Sequence, residues 1–324
     1  MKLLVTGGAG YIGSVVTAQL CAAGHEVTVL DDLSTGHRDA IDSRAEFVQA
    51  DIREAGEVLD SSFDGVLHFA AKSLVGESVT DPAKYWSNNV SGTQVLLEAM
   101  KAAGVKRIVF SSTAAVYGEP EISPITEDTV PNPINPYGQS KLAVDNMLGG
   151  YAHAHDFAPV SLRYFNVGGA LRTEQGWFGE RHDPETHLIP NVLAVPAGNR
   201  DAVSIFGDDY PTSDGTAVRD YLHVEDLGRA HLLALDGAKE GVHRIFNLGT
   251  GTGYTVKEVV DAVRTVTDHE VPANVTPRRA GDPATLVASA QKIETELGWL
   301  PDHSLHNIAR DAWEFLTTKH QEED

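Results

Sequence analysis

The run Thr6-Gly7-Gly8-Ala9-Gly10-Tyr11-Ile12-Gly13 constrains this chain more than any other stretch. A short apolar run, Lys2–Thr6, leads into it, and a helical pattern over Ile12–Ala23 leaves it. Gly7, Gly10 and Gly13 give G-x-x-G-x-x-G, one residue longer in its first gap than the common dinucleotide fingerprint. Glycine there serves a tight turn, close backbone approach to a pyrophosphate, and close packing of helix on sheet. The helix start adds N–H donors and the positive end of the helix dipole. The second strand then ends at Asp31, followed by Asp32. A carboxylate at that point accepts hydrogen bonds from the adenosine ribose and repels a 2′-phosphate, so the expected cofactor is NAD rather than NADP.

Strand-like and helical runs alternate through the first half. Strands are expected over Glu26–Asp31, Glu46–Ala50, Gly65–Phe69, Arg107–Ser111 and Val160–Phe165, and helices over Pro82–Ala103 and Pro136–His155. Such alternation implies right-handed βαβ units and a parallel sheet covered on both faces. The expected fold class is therefore α/β, a Rossmann-type doubly wound parallel sheet with a smaller α/β C-terminal substrate domain. In such sheets ligands sit beyond the carboxyl ends of the strands. Asp51 and Ile52 end the third strand, suited to the adenine amino group and ring. Phe69, Ala70 and Ala71 end the fourth, where small side chains let a cofactor pass close to the backbone. From Val167 to about Thr216 the rhythm gives way to a Gly-, Pro- and His-rich stretch, which reads as a substrate-binding region. Patterns return at Arg219–Asp236, Arg244–Leu248, Tyr254–Thr267 and Ile293–Leu297. The expected division is an NAD-binding domain over 1–165, rejoined by a segment at about 219–240, and a second domain over 166–218 and 241–324.

Tyr137 and Lys141 stand four residues apart, on one face of a helix. Asn135 is suited to the N-cap and Pro136 to the first helical position, while Gly149-Gly150 weaken the pattern further on. A phenol beside an ammonium is drawn toward its ionised form, which makes Tyr137 a candidate general base. Composition narrows the partners. A net charge of −21 disfavours nucleic acid and anionic membrane surfaces. Cys21 is the single cysteine, which excludes an intramolecular disulfide and a thiolate metal cluster. No stretch approaches 18 consecutive apolar residues, and the N-terminus has neither the apolar length nor the cleavage site of a signal peptide, so a cytoplasmic location is expected.

Longer segments carry a family resemblance: TGGAGYIG at 6–13, HFAAKSLVGESV at 68–79, NNVSGT at 88–93, FSSTAAVYG at 110–118, PYGQSK at 136–141, LRYFNVGGA at 162–170, IFGDDYPTSDGTAVRDYLHVEDL at 205–227 and PRRAGD at 277–282. The chain resembles the extended short-chain dehydrogenase/reductases, in particular their branch of nucleotide-sugar epimerases. That resemblance implies interconversion of UDP-glucose and UDP-galactose: hydride abstraction at C4, rotation of a 4-keto sugar and hydride return. It implies that Tyr137 takes the proton of the sugar 4-hydroxyl, that Lys141 holds the nicotinamide ribose and lowers the Tyr137 pKa, and that Thr113 hydrogen-bonds the 4-oxygen. Tyr11, Ile12, Asn88 and Phe165 match cofactor contacts. Asn166, Leu188, Phe206, Arg219, Arg279 and Asp282 match substrate contacts. A homodimer built from the helices at about 82–103 and 136–155 is implied as well.

Two departures qualify the match. Some relatives carry a lysine at the position of Ser73, whereas here it stands one place earlier, at Lys72. Leu286 occupies a position where a bulky aromatic excludes N-acetylated sugars, so room for UDP-GlcNAc and UDP-GalNAc is expected. The nearest rival reaction, 4,6-dehydration, needs an acid and a base where this chain has Ala114 and Ala115. Other 4-epimerases, acting on uronic acids or pentoses, stay open, and intact Thr113, Tyr137 and Lys141 argue against a non-catalytic NAD-binding protein. No metal is expected. His153 and His155 read as surface residues, and His182 and His187 lack a companion set with zinc spacing. His187 is a candidate neighbour of the substrate, and Gly249–Gly253 reads as a turn.

Overall fold

Leu3 and Val5 lie in one apolar cluster and Leu4 in another, and all three are fully buried. Successive side chains of a strand point to opposite faces, so a strand buried on both must be covered twice. In the computed structural model, which describes residues 1–279 and 282–323, seven parallel strands are covered in this way. They are β1 (Lys2–Thr6), β2 (Glu26–Asp31), β3 (Glu46–Gln49), β4 (Gly65–His68), β5 (Arg107–Thr113), β6 (Ala158–Tyr164) and β7 (Arg244–Leu248). Their order across the sheet is β7-β6-β5-β4-β1-β2-β3. The chain reverses direction of travel between β1 and β4, the switch point at which doubly wound sheets bind dinucleotides. Helices Tyr11–Ala22 and Val224–Asp236 cover the face of Leu3 and Val5, and helices Thr93–Ala103 and Pro136–His155 cover that of Leu4.

The second lobe is built around the strand Val218–His223. It pairs in parallel with Asn166–Gly168 and with Thr285–Leu286, and antiparallel with Gly253–Thr255. Ile189, Val192, Tyr221, Val259, Val263 and Ile308 form its own core.

Several boundaries differ from expectation. β5 runs on to Thr113, which places that hydroxyl at the end of a strand rather than in a loop. β7 lies at the edge of the main sheet although the sequence division assigned it to the second domain, so the returning segment extends beyond 240. The pattern over Pro82–Ala103 is not one regular helix: Pro82–Tyr85 and Thr93–Ala103 flank a wider π turn over Trp86–Gly92. Gly149 and Gly150 stay inside an unbroken 20-residue helix. The stretch 167–216 holds a hairpin, Ala170–Thr173 with Gly176–Gly179, the helix Leu188–Leu193 and the strand Val203–Phe206. Ala280 and Gly281 of the PRRAGD motif, and Asp324, lie outside the described residues.

Candidate active site

The glycine turn is tightened to the limit of backbone contact. Gly7 has φ +73°, and a Cβ built on it would come 2.5 Å from the Ala70 backbone nitrogen. A Cβ on Gly13 would come 2.1 Å from the Gly7 carbonyl oxygen. Gly10 caps the helix Tyr11–Ala22 without a side chain over its N-terminus. Asp31 braces this turn: its carboxylate accepts from Ala9 N at 3.0 Å and from Leu33 N at 2.8 Å. Burial pushes the Asp31 pKa up, against the pull of those two donors. Asp32 accepts from Ser34 N at 2.9 Å. Asp51 caps the following turn through Arg53 N and pairs with the Arg53 guanidinium, and Ile52 is buried beside it. Phe69 N and Ala70 N both donate to Thr6 O, so the ends of β1 and β4 meet, with half-buried Ala71 following. A cradle that a single Cβ would fill, closed by a carboxylate at the end of β2, fits the pyrophosphate and ribose of NAD.

Behind this cradle lies a residue that the motifs did not single out. Asn89, in the π turn and 2% exposed, accepts from Lys72 N at 2.8 Å and donates to Lys72 O at 3.0 Å and Ser140 Oγ at 3.1 Å. It ties the loop after β4 to the helix of Tyr137. Neighbouring Asn88, the expected contact, is half-buried and donates to the Asn89 side chain. Lys72 Nζ reaches Ser34 Oγ at 2.7 Å, across the turn after β2.

Asn135 Oδ1 accepts from Gly138 N at 2.9 Å and Pro136 occupies the first helical position, as the sequence reading expects. That helix brings Tyr137 beside Thr113, whose hydroxyl favours the ionised phenol. Lys141 is 2% exposed and donates to Ser111 O at 2.7 Å, with Nζ 6.0 Å from the centre of the Tyr137 ring. The protonation pattern departs from expectation. Burial raises the Tyr137 pKa, with the Thr113 hydrogen bond opposing it. Burial also brings Lys141 down to about 7, opposed by the Asp145 carboxylate. Taking a phenolate and an ammonium out of water disfavours both charged forms, which sets the two directions. Ala114 and Ala115 line the turn after Thr113, where Ala115 N donates to Thr113 Oγ1 at 3.1 Å.

The expected substrate residues Asn166, Leu188, Phe206, Arg219, Arg279 and Asp282 lie in the second lobe. Arg219 donates to Asp282 in an ion pair and to Val218 O at 2.7 Å. The Arg279 guanidinium stacks on the Phe206 ring at 3.9 Å. Asn166 Nδ2 donates to Asp220 O at 3.1 Å. Leu188 opens a short helix, and Phe165 packs with Leu286 against Val116, Tyr117 and Ile125. Leu286 lies opposite Arg219 in the strand register. Asp220, fully buried and not foreseen, accepts from Thr250 N, Thr250 Oγ1, Gly251 N and Ala288 N. It holds the Gly249–Gly253 turn in place, with burial raising its pKa against those donors. His153 and His155 are exposed. His182 and His187 do have acidic companions, because the fold brings Glu180 and Glu185 to them.

Residues 3–249 match the NAD dependent epimerase/dehydratase family. The UDP-glucose 4-epimerase of Corynebacterium glutamicum is 55% identical over 320 residues, covering 98% of this chain and 96% of that protein. The enzyme of the same name from Streptomyces lividans is 56% identical over 97% of this chain and 95% of that protein. A crystal structure of the UDP-glucose 4-epimerase of Stenotrophomonas maltophila, with bound NAD and formylated UDP-arabinopyranose, superposes with a TM-score of 0.95 at 40% identity, covering 99% of each chain. The chain belongs to the NAD dependent epimerase/dehydratase family.

Proposed function

We infer that the chain is an isomerase that interconverts UDP-glucose and UDP-galactose with NAD as its cofactor. The single observation that carries this reading is the Thr113–Tyr137–Lys141 group, set at the ends of β5 and the helix Pro136–His155 beside a dinucleotide cradle. Bound NAD supplies a hydride acceptor and donor for C4 of the sugar. Tyr137 takes the proton of the 4-hydroxyl on oxidation and returns it on reduction. Thr113 stands beside the phenol and hydrogen-bonds the 4-oxygen. Lys141, anchored by Ser111 O, reaches toward the nicotinamide ribose. Epimerisation sets two opposed demands, since the 4-keto hexose must turn over while the nucleotide stays fixed. Arg219, Arg279, Asn166 and Asp282 supply the fixed end, where planar guanidinium donors suit a pyrophosphate. The hexose end meets Thr113 and Tyr137, few enough contacts to leave it free to rotate. Alanines at 114 and 115 offer no titratable proton for dehydration.

A homodimer is part of this reading. Val75, Val79, Trp86 and Val95 are exposed apolar side chains on or beside the expected dimer helices. Sedimentation should give twice the chain mass, and Val95→Glu should shift it toward one chain. No helix among the described residues is long and apolar enough to cross a membrane. A buried single cysteine and the acidic surface support a cytoplasmic location.

The direct test is conversion of UDP-galactose to UDP-glucose by purified protein without added NAD, with UDP-GlcNAc as a second substrate. Tyr137→Phe should fold, retain NAD and lose about 10²–10⁴-fold in turnover, the usual contribution of a positioned acid–base group. Near-normal turnover in that variant would remove Tyr137 from the mechanism. Turnover of UDP-GlcNAc at less than a thousandth of that of UDP-glucose would show that Leu286 leaves no room for an acetamido group.

A further inference from the structure

Glu180, His182, Glu185 and His187 lie in the segment between the strand Gly176–Gly179 and the helix Leu188–Leu193. One ligand atom of each lies within 4.8 Å of those of the other three. Glu180 Oε1 meets both imidazoles, His182 Nδ1 at 3.0 Å and His187 Nδ1 closer still. The Glu185 carboxylate lies 3.8 Å from His182 Nδ1 and 3.6 Å from His187 Nδ1. A tetrahedral ion with bonds of about 2.0–2.1 Å holds its ligands about 3.3–3.4 Å apart. The observed separations bracket that edge, so an ion enters with small side-chain shifts.

The donor set identifies the ion. Two imidazole nitrogens and two carboxylates suit Zn²⁺, whereas Mg²⁺ and Ca²⁺ take oxygen ligands. Glu180 has a side chain only 6% exposed, with a second carboxylate close by. A buried carboxylate with a second, partly exposed one beside it needs compensating positive charge, and one divalent ion supplies it without protonating both histidines. Four protein ligands leave no open position, which makes such a site structural rather than catalytic.

We propose that Glu180, His182, Glu185 and His187 bind one Zn²⁺ ion that clamps this segment of the second lobe against the cofactor domain. The segment already touches that domain: Arg181 O meets His37 Nε2 at 3.1 Å, Arg181 pairs with Asp39 at 2.8 Å, and the His182 ring stands edge-on to Tyr11 at 6.4 Å. Tyr11, in the first turn after the glycines, donates in turn to Gly169 O at 2.7 Å. The ion therefore fixes the backbone immediately before Leu188 and the mouth of the cofactor cleft together.

The test uses the tag-free full chain with its retained NAD, stripped of metal by a chelator and titrated with Zn²⁺. Calorimetry should give one equivalent per chain, and Zn²⁺ but not Mg²⁺ should raise the melting temperature. Co²⁺ in its place should give the intense visible bands of a tetrahedral site. Glu185→Gln keeps the size of the side chain and removes its charge. It should weaken Zn²⁺ binding by at least the about 10–100-fold seen on losing an outer-shell partner, and abolish the thermal shift. His182→Asn is the second variant and should do the same should Glu185→Gln fail to fold. Absence of saturable binding at one equivalent, an octahedral Co²⁺ spectrum, or undiminished Zn²⁺ binding in a folded variant would overturn the site.

Discussion

His68 ends β4 with its ring 1% exposed, Nδ1 2.7 Å from Thr6 Oγ1 and Nε2 2.8 Å from Thr93 Oγ1. Burial first, and the Lys141 charge second, hold its pKa down to about 3 from 6.5. The unfolded chain therefore takes up this proton near pH 6.5, while the folded chain resists it until about pH 3. Between those values the unfolded state binds more protons, so the His68 contribution is present above pH 6.5 and is lost as the pH falls. The slope from one such group is up to about 1.4 kcal/mol per pH unit. Denaturant melts of His68→Gln should show lower stability at pH 7 and a shallower decline than wild type between pH 6.5 and 3; parallel curves would mean that His68 does not titrate as its burial requires. The same physics separates what was readable at Tyr137 from what was not. Its place on one helix face with Lys141 follows from spacing. The direction of its pKa in this fold follows from desolvation, which a run of letters does not contain.

Among the elements, two glycines test whether local geometry or intrinsic propensity governs. Gly13 cannot carry a Cβ without meeting the Gly7 carbonyl oxygen at 2.1 Å, so Gly13→Ala must distort the turn that receives the cofactor. Gly150, in the catalytic helix, is exposed and has nothing within 4 Å of an added Cβ. Its replacement by Ala should stabilise the protein by about 0.5–1 kcal/mol, the propensity difference between the two residues. Thermal melts should rise for Gly150→Ala, and retained NAD should fall for Gly13→Ala; a loss of stability in the first would show that the helix is not carried through the glycine pair by packing. Asn135 and Pro136 made the start of that helix legible, because a cap is a local device. The π turn at Trp86–Gly92 was not legible. It is stabilised by Asn89 reaching both Lys72 and Ser140, and those contacts join three segments distant in sequence.

Across the whole molecule, the sequence pattern separates two lobes, yet the chain crosses between them more often than the pattern suggests. β7 returns to the main sheet, and Ile293 and Trp299, well beyond it, pack into that sheet's core. Return crossings of this kind depend on which surface an apolar segment finds, and β7 has the same apolar character that a strand of either lobe would show. Asp220 marks the consequence for function. It sits in the strand Val218–His223, fixes the turn that follows β7, and leaves its neighbour Arg219 facing Asp282. Arg219 is thus held by contacts within the second lobe. An anchor for the nucleotide placed there contributes equally to the ground state and the transition state, and uniform binding changes KM without changing the chemical step. Replacing a charge-assisted hydrogen bond of about 1.5–3 kcal/mol should weaken affinity by about 10–100-fold. Arg219→Gln should therefore raise the KM for UDP-galactose by that factor while kcat stays within about threefold. A fall in kcat equal to the fall in kcat/KM would place Arg219 in the reaction itself, and the division between a fixed nucleotide and a freely turning hexose would have to be redrawn.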